Sequence, residues 1–318
     1  MTYLFPIEPL KHTVFEHPES LQFFREQGVV LTDDPYRADV FVMRHYNPLL
    51  GFRPGRTVKK RLREGVPLLL WTHEPRFCYT DKDIMFLKGT VIQVMNMYTR
   101  NVLFSNFTFY GKFADGILAP ATNISFSPQS VVGLATHVDP DKQPFIMGGV
   151  DIDLTVKRQK LLYDGFRLGM ADIYGVGWPS AMKIKASRGK GWHKGKIGIL
   201  SNYQFNICLE NTAFEYYCTE KIWDSIKGYC LPVYSSFNNR IYDTFPKNSF
   251  IDFDDFANND ELLQFIRNIS PQEYLTRLNL CIETFNHVHA TTDFRMERQR
   301  ALMAVVDKLK TLYRVTAG

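Results

Sequence analysis

Short, unbroken apolar runs that alternate with helical stretches constrain this chain more than any other feature. Ala38-Asp39-Val40-Phe41-Val42-Met43 follows the acidic turn Asp33-Asp34-Pro35, and Val66-Pro67-Leu68-Leu69-Leu70-Trp71 is entered through Gly65. Val91-Ile92-Gln93-Val94-Met95 comes third, and Gly116-Ile117-Leu118-Ala119 reads as a fourth. A strand covered on both faces needs apolar residues at successive positions, whereas a half-exposed strand alternates. The runs therefore predict parallel sheets with helices on both sides.

The pattern is interrupted by Asp139-Pro140-Asp141-Lys142-Gln143-Pro144, a polar, proline-flanked stretch that reads as a linker, and then restarts. Phe145 to Val150 reads as a strand, and Leu154 to Met170 as a helix with Leu161, Leu162, Phe166 and Met170 on one face. Ile173 to Gly177 is a strand and turn, Phe205 to Leu209 a strand, Thr219 to Lys227 a helix, and Leu231 to Tyr234 a strand. Residues 259–269, 271–287 and 292–313 read as three closing helices. The chain has 318 residues, enough for about two domains. The expectation is an α/β protein of two Rossmann-like domains, residues 1–142 and 143–318. Ligands of such folds sit at strand carboxyl ends, so a cleft between the domains is the expected site.

Composition narrows the function classes. Apolar residues are 45% and charged residues 22%, the mix of a soluble globular protein. No apolar run reaches the ~18 to 20 residues of a membrane span, and the start Met-Thr-Tyr-Leu-Phe-Pro lacks the basic region of a secretory signal. The net charge of +5 weakly favours an anionic ligand or surface and does not imply nucleic acid. Two stretches concentrate the basic residues: Arg53 to Arg63 holds six, and Lys183 to Lys196 holds seven counting His193, with three glycines that suggest a flexible loop. They suit an anionic membrane surface or a lipid-linked substrate. Five cysteines with no C-x-x-C pair argue against a zinc site or a disulfide framework and for buried, reduced thiols in a cytoplasmic compartment. The aromatic share of 14% suits large cores and also clefts that hold rings and sugars.

Residues 203–236 read YQFNICLENTAFEYYCTEKIWDSIKGYCLPVYSS. A strand ends at Leu209, so Glu210 and Asn211 emerge from its carboxyl end. After an aromatic loop, Tyr217, Thr219, Glu220 and Lys221 open a helix, with Thr219 as the expected N-cap. Helix N-termini present unpaired amides with partial positive charge. A lysine in that turn opposes the helix dipole unless an anion sits there too. Lysine, tyrosine hydroxyl and amides together make a phosphate site, and Glu220 could take the hydroxyls of a ribose or sugar. Spacing alone favours a plainer reading, a cap followed by a solvated charge pair.

The whole block, however, resembles the α1,3/4-fucosyltransferase family, glycosyltransferase family 10. The family's F-N-x-x-F-E-N, Y-V-T-E-K and P-V/I-Y elements have counterparts in Phe205-Asn206, Leu209-Glu210-Asn211, Tyr217-Cys218-Thr219-Glu220-Lys221 and Pro232-Val233-Tyr234. Downstream, Phe245-Pro246-Lys247-Asn248-Ser249-Phe250-Ile251 and Asp255-Phe256 continue the likeness; upstream, Lys157-Arg158 and Asp172-Ile173-Tyr174-Gly175 do. Ser235-Ser236 stand where family members often have W-G. The resemblance implies GT-B architecture, with residues 1–142 binding the acceptor and 143–318 the donor, the C-terminal helices closing the donor domain. It implies inverting transfer of L-fucose from GDP-fucose to a glycan hydroxyl, in an α1,3-type linkage to a GlcNAc-containing or lipopolysaccharide acceptor. No metal or other cofactor is implied. It assigns the pyrophosphate to Arg158 and Lys221, sugar or ribose hydroxyls to Glu220, and places near the donor to Tyr217 and Asn211. Without the N-terminal anchor of eukaryotic relatives, it points to a cytoplasmic enzyme of bacterial or viral type, unless the chain is part of a longer Golgi protein.

Two D-x-D pairs, Asp151-Ile152-Asp153 and Asp252-Phe253-Asp254, could signal a manganese site, but the spacing is common by chance. Asp153 would instead be an N-cap, and the second pair lies in a turn. Inversion needs a base opposite the leaving group. Glu74, in Trp71-Thr72-His73-Glu74-Pro75 after the strongest N-terminal strand, resembles the glutamate of the family's E-S-P segment; His73 is the alternative. Competing readings are a transferase using another GDP-linked sugar, and a catalytically idle glycan-binding protein.

Overall fold

The computed structural model describes residues 1–318 apart from 12, 46–54, 79, 88, 109–115, 123, 124, 140, 186–191 and 318. Its contacts divide the chain into residues 1–111 with 293–318, and residues 112–292.

The first unit holds β1 (Thr2–Pro6), α1 (Pro18–Glu26), β2 (Val29–Leu31), β3 (Val40–Met43), α2 (Arg56–Arg63), β4 (Leu68–Thr72), β5 (Ile84–Leu87) and β6 (Thr90–Asn96). The sheet runs β2-β1-β3-β4-β6-β5, parallel throughout except for the antiparallel edge strand β5. Registers such as Phe41 opposite Leu68 and Leu70 opposite Val94 stack the apolar runs across the sheet. All five residues of β4 are buried, as expected of a strand with both faces covered. Phe41, Met43, Leu68, Leu70, Ile92 and Val94 form one core cluster, joined from α2 by Val58. The remainder of α2 shows its cations to solvent, with Arg56, Lys59, Lys60 and Arg63 exposed. Strand order reverses between β1 and β3, which makes their carboxyl ends the switch point where open α/β sheets take ligands.

The second unit opens with β7 (Val131–Leu134), followed by the hairpin of β8 (Ile146–Met147) and β9 (Val150–Asp151). Then come α3 (Thr155–Arg167), β10 (Ala171–Tyr174), β11 (Lys183–Lys185), α4 (Trp192–Leu200), β12 (Phe205–Ile207) and α5 (Glu220–Lys227). It ends with β13 (Leu231–Tyr234), β14 (Ile251–Asp252), α6 (Asn259–Asn268) and α7 (Pro271–Thr291). The order β11-β10-β7-β12-β13-β14 is parallel throughout. Counted from β7, this is the 3-2-1-4-5-6 order of dinucleotide-binding folds, with its switch point between β7 and β12. Helix α3 lies so close on β7 that a Cβ at Gly133 would stand 2.1 Å from a methyl of Leu162.

Several expectations change. Residues 116–119 form no strand. Residues 145–150 supply only the small hairpin, because Gly148 and Gly149 take φ of +57° and +82° and reverse the chain. The leading strand of the second sheet is β7, so the contacts place the division before that strand rather than at 142/143. Lys142, in the expected linker, is tied within the second unit by its ammonium to Asp153 at 3.1 Å and to the Thr155 hydroxyl at 2.7 Å. The three closing helices form, but they separate. The third, α8 (Phe294–Ala317), belongs to the first unit, apart from the other two. Leu302, Val305, Val306 and Leu309 are buried along one face of α8 at helical spacing. Arg298 adds an ion pair to Glu19 of α1 at 2.8 Å. The basic loop contains β11 and the start of α4; its residues 186–191 lie outside the described residues. No described helix is long and apolar enough to cross a membrane.

Candidate active site

The chain leaves β12 at Ile207 and passes through Cys208 and Leu209, both buried, to Glu210 and Asn211. Helix α5 returns beside it because Ile222, Trp223 and Ile226 are buried on one of its faces. Asn206 Nδ2 donates to the Ser225 hydroxyl at 2.7 Å, and that hydroxyl donates to the Lys221 carbonyl at 2.7 Å. Strand and helix are thus pinned one turn from the residues that matter.

Glu210 is 2% exposed and is the centre of the cluster. Its carboxylate accepts the Thr219 amide at 2.7 Å and the Lys221 ammonium at 2.8 Å, and both oxygens lie 2.9 Å from the Thr219 hydroxyl. The Tyr234 hydroxyl donates to it at 3.3 Å. Thr219 is therefore the N-cap residue of α5 by position only. Its side chain makes no capping bond, since it faces Glu210. The anion that a lysine needs in this turn is supplied by the chain itself. Two of the three Lys221 ammonium hydrogens go to Glu210 and Thr219, which leaves one for a ligand among the described residues. Burial acts against the charge on Lys221, yet Glu210 and Glu220 outweigh it and raise its pKa.

Arg158, in the first turn of α3, is buried against the same strand end. Its guanidinium donates to the Leu209 carbonyl and, at 3.1 Å, to Asn211 Oδ1. Burial lowers its pKa, opposed by Glu210 and Tyr217. Tyr217 is buried close enough for that influence. Glu220 faces Lys196 of α4 at 3.4 Å, and Lys196 also pairs with Asp224 at 2.8 Å. Burial penalises the Glu220 charge, but Lys221 and Lys196 prevail and hold its pKa at about 2. Arg158, Asn211, Tyr217, Glu220 and Lys221 are thus gathered on neighbouring elements of one unit, with two cations in helix first turns. Such an arrangement offers charged donors to an anion and carboxylate acceptors to hydroxyls. Glu210 was legible in the sequence as the end of a strand, but not as the pivot. Lys196 had no signal that set it apart from its basic neighbours.

Glu74 lies in the first unit, two residues beyond β4. Its amide donates to the Thr72 hydroxyl at 3.0 Å, and its half-buried side chain lines a cavity with Lys11, Thr13, Arg44, Trp71, Thr72 and Phe77. The His73 ring packs edge-on against Trp71 at 5.1 Å.

Residues 170–296 match the profile of the glycosyltransferase family 10 (fucosyltransferase) C-terminal region. Over this stretch, less than half of its length, the chain is similar to family 10. The stretch contains every residue of the cluster except Arg158. An alpha-(1,3)-fucosyltransferase of Helicobacter pylori is 40% identical over 74 residues, 23% of this chain and 15% of that protein. An alpha-(1,4)-fucosyltransferase of Arabidopsis thaliana is 31% identical over 78 residues, 24% of this chain and 19% of that protein. The matches therefore span less than a fifth of these relatives' length. Among solved structures, the T4 phage beta-glucosyltransferase superposes with a TM-score of 0.52 at 9% identity, covering 95% of this chain and 98% of that one. That likeness shows the fold, the GT-B arrangement of two Rossmann-like units in one chain.

Proposed function

We propose that the chain is an inverting fucosyltransferase that moves L-fucose from GDP-fucose to a glycan hydroxyl, in an α1,3-type linkage to a GlcNAc-containing or lipopolysaccharide acceptor. The observation that carries this reading is the meeting of Arg158 and Lys221 at the Glu210-Asn211 strand end, beside the switch point of the second sheet. In the reaction, the acceptor oxygen attacks the anomeric carbon of fucose opposite the leaving group. The bond to the β-phosphate oxygen breaks with its electron pair going to GDP, and the acceptor proton passes to a carboxylate, Glu74. Arg158 and Lys221 take up the charge that develops on the diphosphate, as fixed cations do most effectively where water is excluded. Glu220, ionised far below neutral pH, accepts hydroxyls of the ribose or fucose. Asn211 and Tyr217 line the donor site.

No metal enters this scheme. Its support is that the D-x-D carboxylates are taken up within the fold. Asp151 accepts the amides of Phe145 and Asp153, each at 3.0 Å. Asp153 holds Lys142 and Thr155. Asp252 accepts the Tyr242 hydroxyl at 2.6 Å, and Asp254 the Ser235 hydroxyl at 2.6 Å. The five free, buried cysteines suit a reducing cytoplasm. The exposed cations of α2 suit an anionic membrane or lipid-linked acceptor.

Incubation with GDP-fucose and a glycan panel, in the presence of chelator, tests the reading. Transfer or slow donor hydrolysis is expected, with GDP raising the melting temperature. Neither turnover nor GDP-induced stabilisation would sink it. Ser235 and Ser236, tied to Asp254 and Asp252, give a second reading in which another GDP-linked sugar is the donor. Competition among GDP-sugars separates the two, and glycan binding untouched by Lys221→Ala would favour an idle binding protein.

A further inference from the structure

The cavity beside Glu74 has a volume of about 60 Å³, several times the ~10–15 Å³ that one water needs. It sits at the carboxyl ends of β1, β3 and β4, next to the switch point of the first sheet: Lys11 and Thr13 follow β1, Arg44 follows β3 directly, and Trp71 and Thr72 end β4. Its walls combine an aromatic surface, Trp71 and Phe77, with two cations.

Arg44 is held in place without being neutralised. Its guanidinium donates to the Lys11 carbonyl at 2.8 Å and lies 5.6 Å from the centre of the Phe77 ring. The nearby carboxylate of Glu8 is committed elsewhere: it accepts the Arg44 and His45 amides at 2.8 and 3.1 Å and faces the His45 ring at 3.1 Å. Arg44 Nε is out of water with no acceptor among the described residues. A buried donor left unmade is costly, so this one calls for a bound group or an ordered water as its partner. Lys11 brings a second, exposed cation, and Glu74 is the one carboxylate of the lining among the described residues.

We infer that this cavity selects an acceptor glycan carrying an anionic substituent, a carboxylate or a phosphate, next to the reacting sugar. The acid meets Arg44 and Lys11, and the C–H face of its sugar lies against Trp71 and Phe77. The volume fits such a group better than a whole buried disaccharide. This rests on the transferase reading, since it names the substrate class of that site.

The test compares three acceptors on one glycan core: neutral, uronic-acid-bearing and phosphate-bearing. Calorimetric affinity without donor is measured beside kcat/KM with GDP-fucose. Wild type prefers at least one acidic acceptor over the neutral one. Arg44→Gln lowers that preference by roughly 10- to 100-fold, the range for a hydrogen bond to a charged group. Lys11→Gln, at an exposed side chain that leaves the fold intact, lowers it by a smaller factor. Arg25→Gln on α1, an exposed cation outside the cavity lining, makes the same charge change and keeps the preference. The carboxylate and phosphate arms identify the source of the charge. A wild-type preference for the neutral glycan, or a preference unmoved in both cavity variants, overturns the inference. Acidic preference in calorimetry with no turnover of GDP-fucose would leave this cavity's selectivity standing while removing the fucosyl reading.

Discussion

In the second unit, Lys221 and Lys196 pair with Glu210, Glu220 and Asp224 at 2.8 to 3.4 Å, and Arg158 lies beside them on a backbone carbonyl and Asn211. In the first unit, Lys11 and Arg44 share a cavity with Glu74, and Arg44 is held by a carbonyl and a ring. Both clusters occupy strand carboxyl ends, yet among the described residues one sets three cations beside three carboxylates and the other two cations beside one. A self-neutralised network stands ready before any ligand arrives, and its fixed donors need no reorganisation when charge develops. Its charges are then dangerous to separate. An unbalanced cavity leaves a donor for a ligand to meet and discriminates partners by sign of charge. On the proposed function, the difference teaches that the second unit is built for preorganisation and the first for selection.

The largest effect should come from splitting the balanced network. Lys221→Ala leaves Glu210 buried and uncompensated, a change that costs about 3–5 kcal/mol and that urea denaturation reads directly. GDP affinity should fall with it. Removing both charges, Glu210→Gln with Lys221→Met, should recover most of the stability without recovering GDP binding. If Lys221→Ala is as stable as wild type, the network is not the tightly coupled unit described, and the contrast between the units is lost.

On the other side, Glu74→Gln should leave GDP affinity and stability near wild type while lowering kcat by roughly 100- to 10,000-fold, the usual contribution of a positioned base. Equal kcat in this variant would remove Glu74 from the chemistry, and the first-unit cavity would then be a recognition site alone.

The smallest effect is a pH dependence. Glu220 has a folded pKa of about 2 against an ordinary 4.5, so the unfolded chain binds its proton first as pH falls. Its contribution to stability is complete above 4.5 and fades as pH drops towards 2. Stability measured at pH 6 and pH 3 should differ less in Glu220→Gln than in wild type. Identical differences would mean that Lys196 and Lys221 do not hold the carboxylate as the geometry indicates.

Much of this was legible in the residues. Ala38 to Met43, Val66 to Trp71 and Val91 to Met95 announced buried parallel strands because a strand covered on both faces admits few polar residues. Residues 203–236 announced a strand end, loop and helix start because these are contiguous and their proximity is set locally, and the family resemblance supplied their chemistry. What escaped were elements whose signal is weak at short range. Val131 to Leu134 is four residues long with a glycine inside, yet it is the strand around which the second sheet is ordered. Gly133 is there to admit Leu162, a contact made across a crossover. The dyad of Gly148 and Gly149 turned an expected strand into a hairpin for the opposite reason, a local conformation that overrode an apolar run.

The sequence by itself determined the α/β class and the strand-to-helix motif at 203–236, because periodicity and contiguous motifs are properties of neighbouring residues, while the candidates Arg158, Asn211, Tyr217, Glu220, Lys221 and Glu74 came from the family resemblance. The tertiary structure alone decided four things. Glu210 is the carboxylate that Lys221 meets. Lys196 completes the cluster from a separate helix. The last helix, α8, returns to the first unit, and Arg44 reaches a cavity with Glu74. All but the first join segments remote in sequence, and such pairings are chosen by packing and by the high cost of leaving a buried charge unmatched.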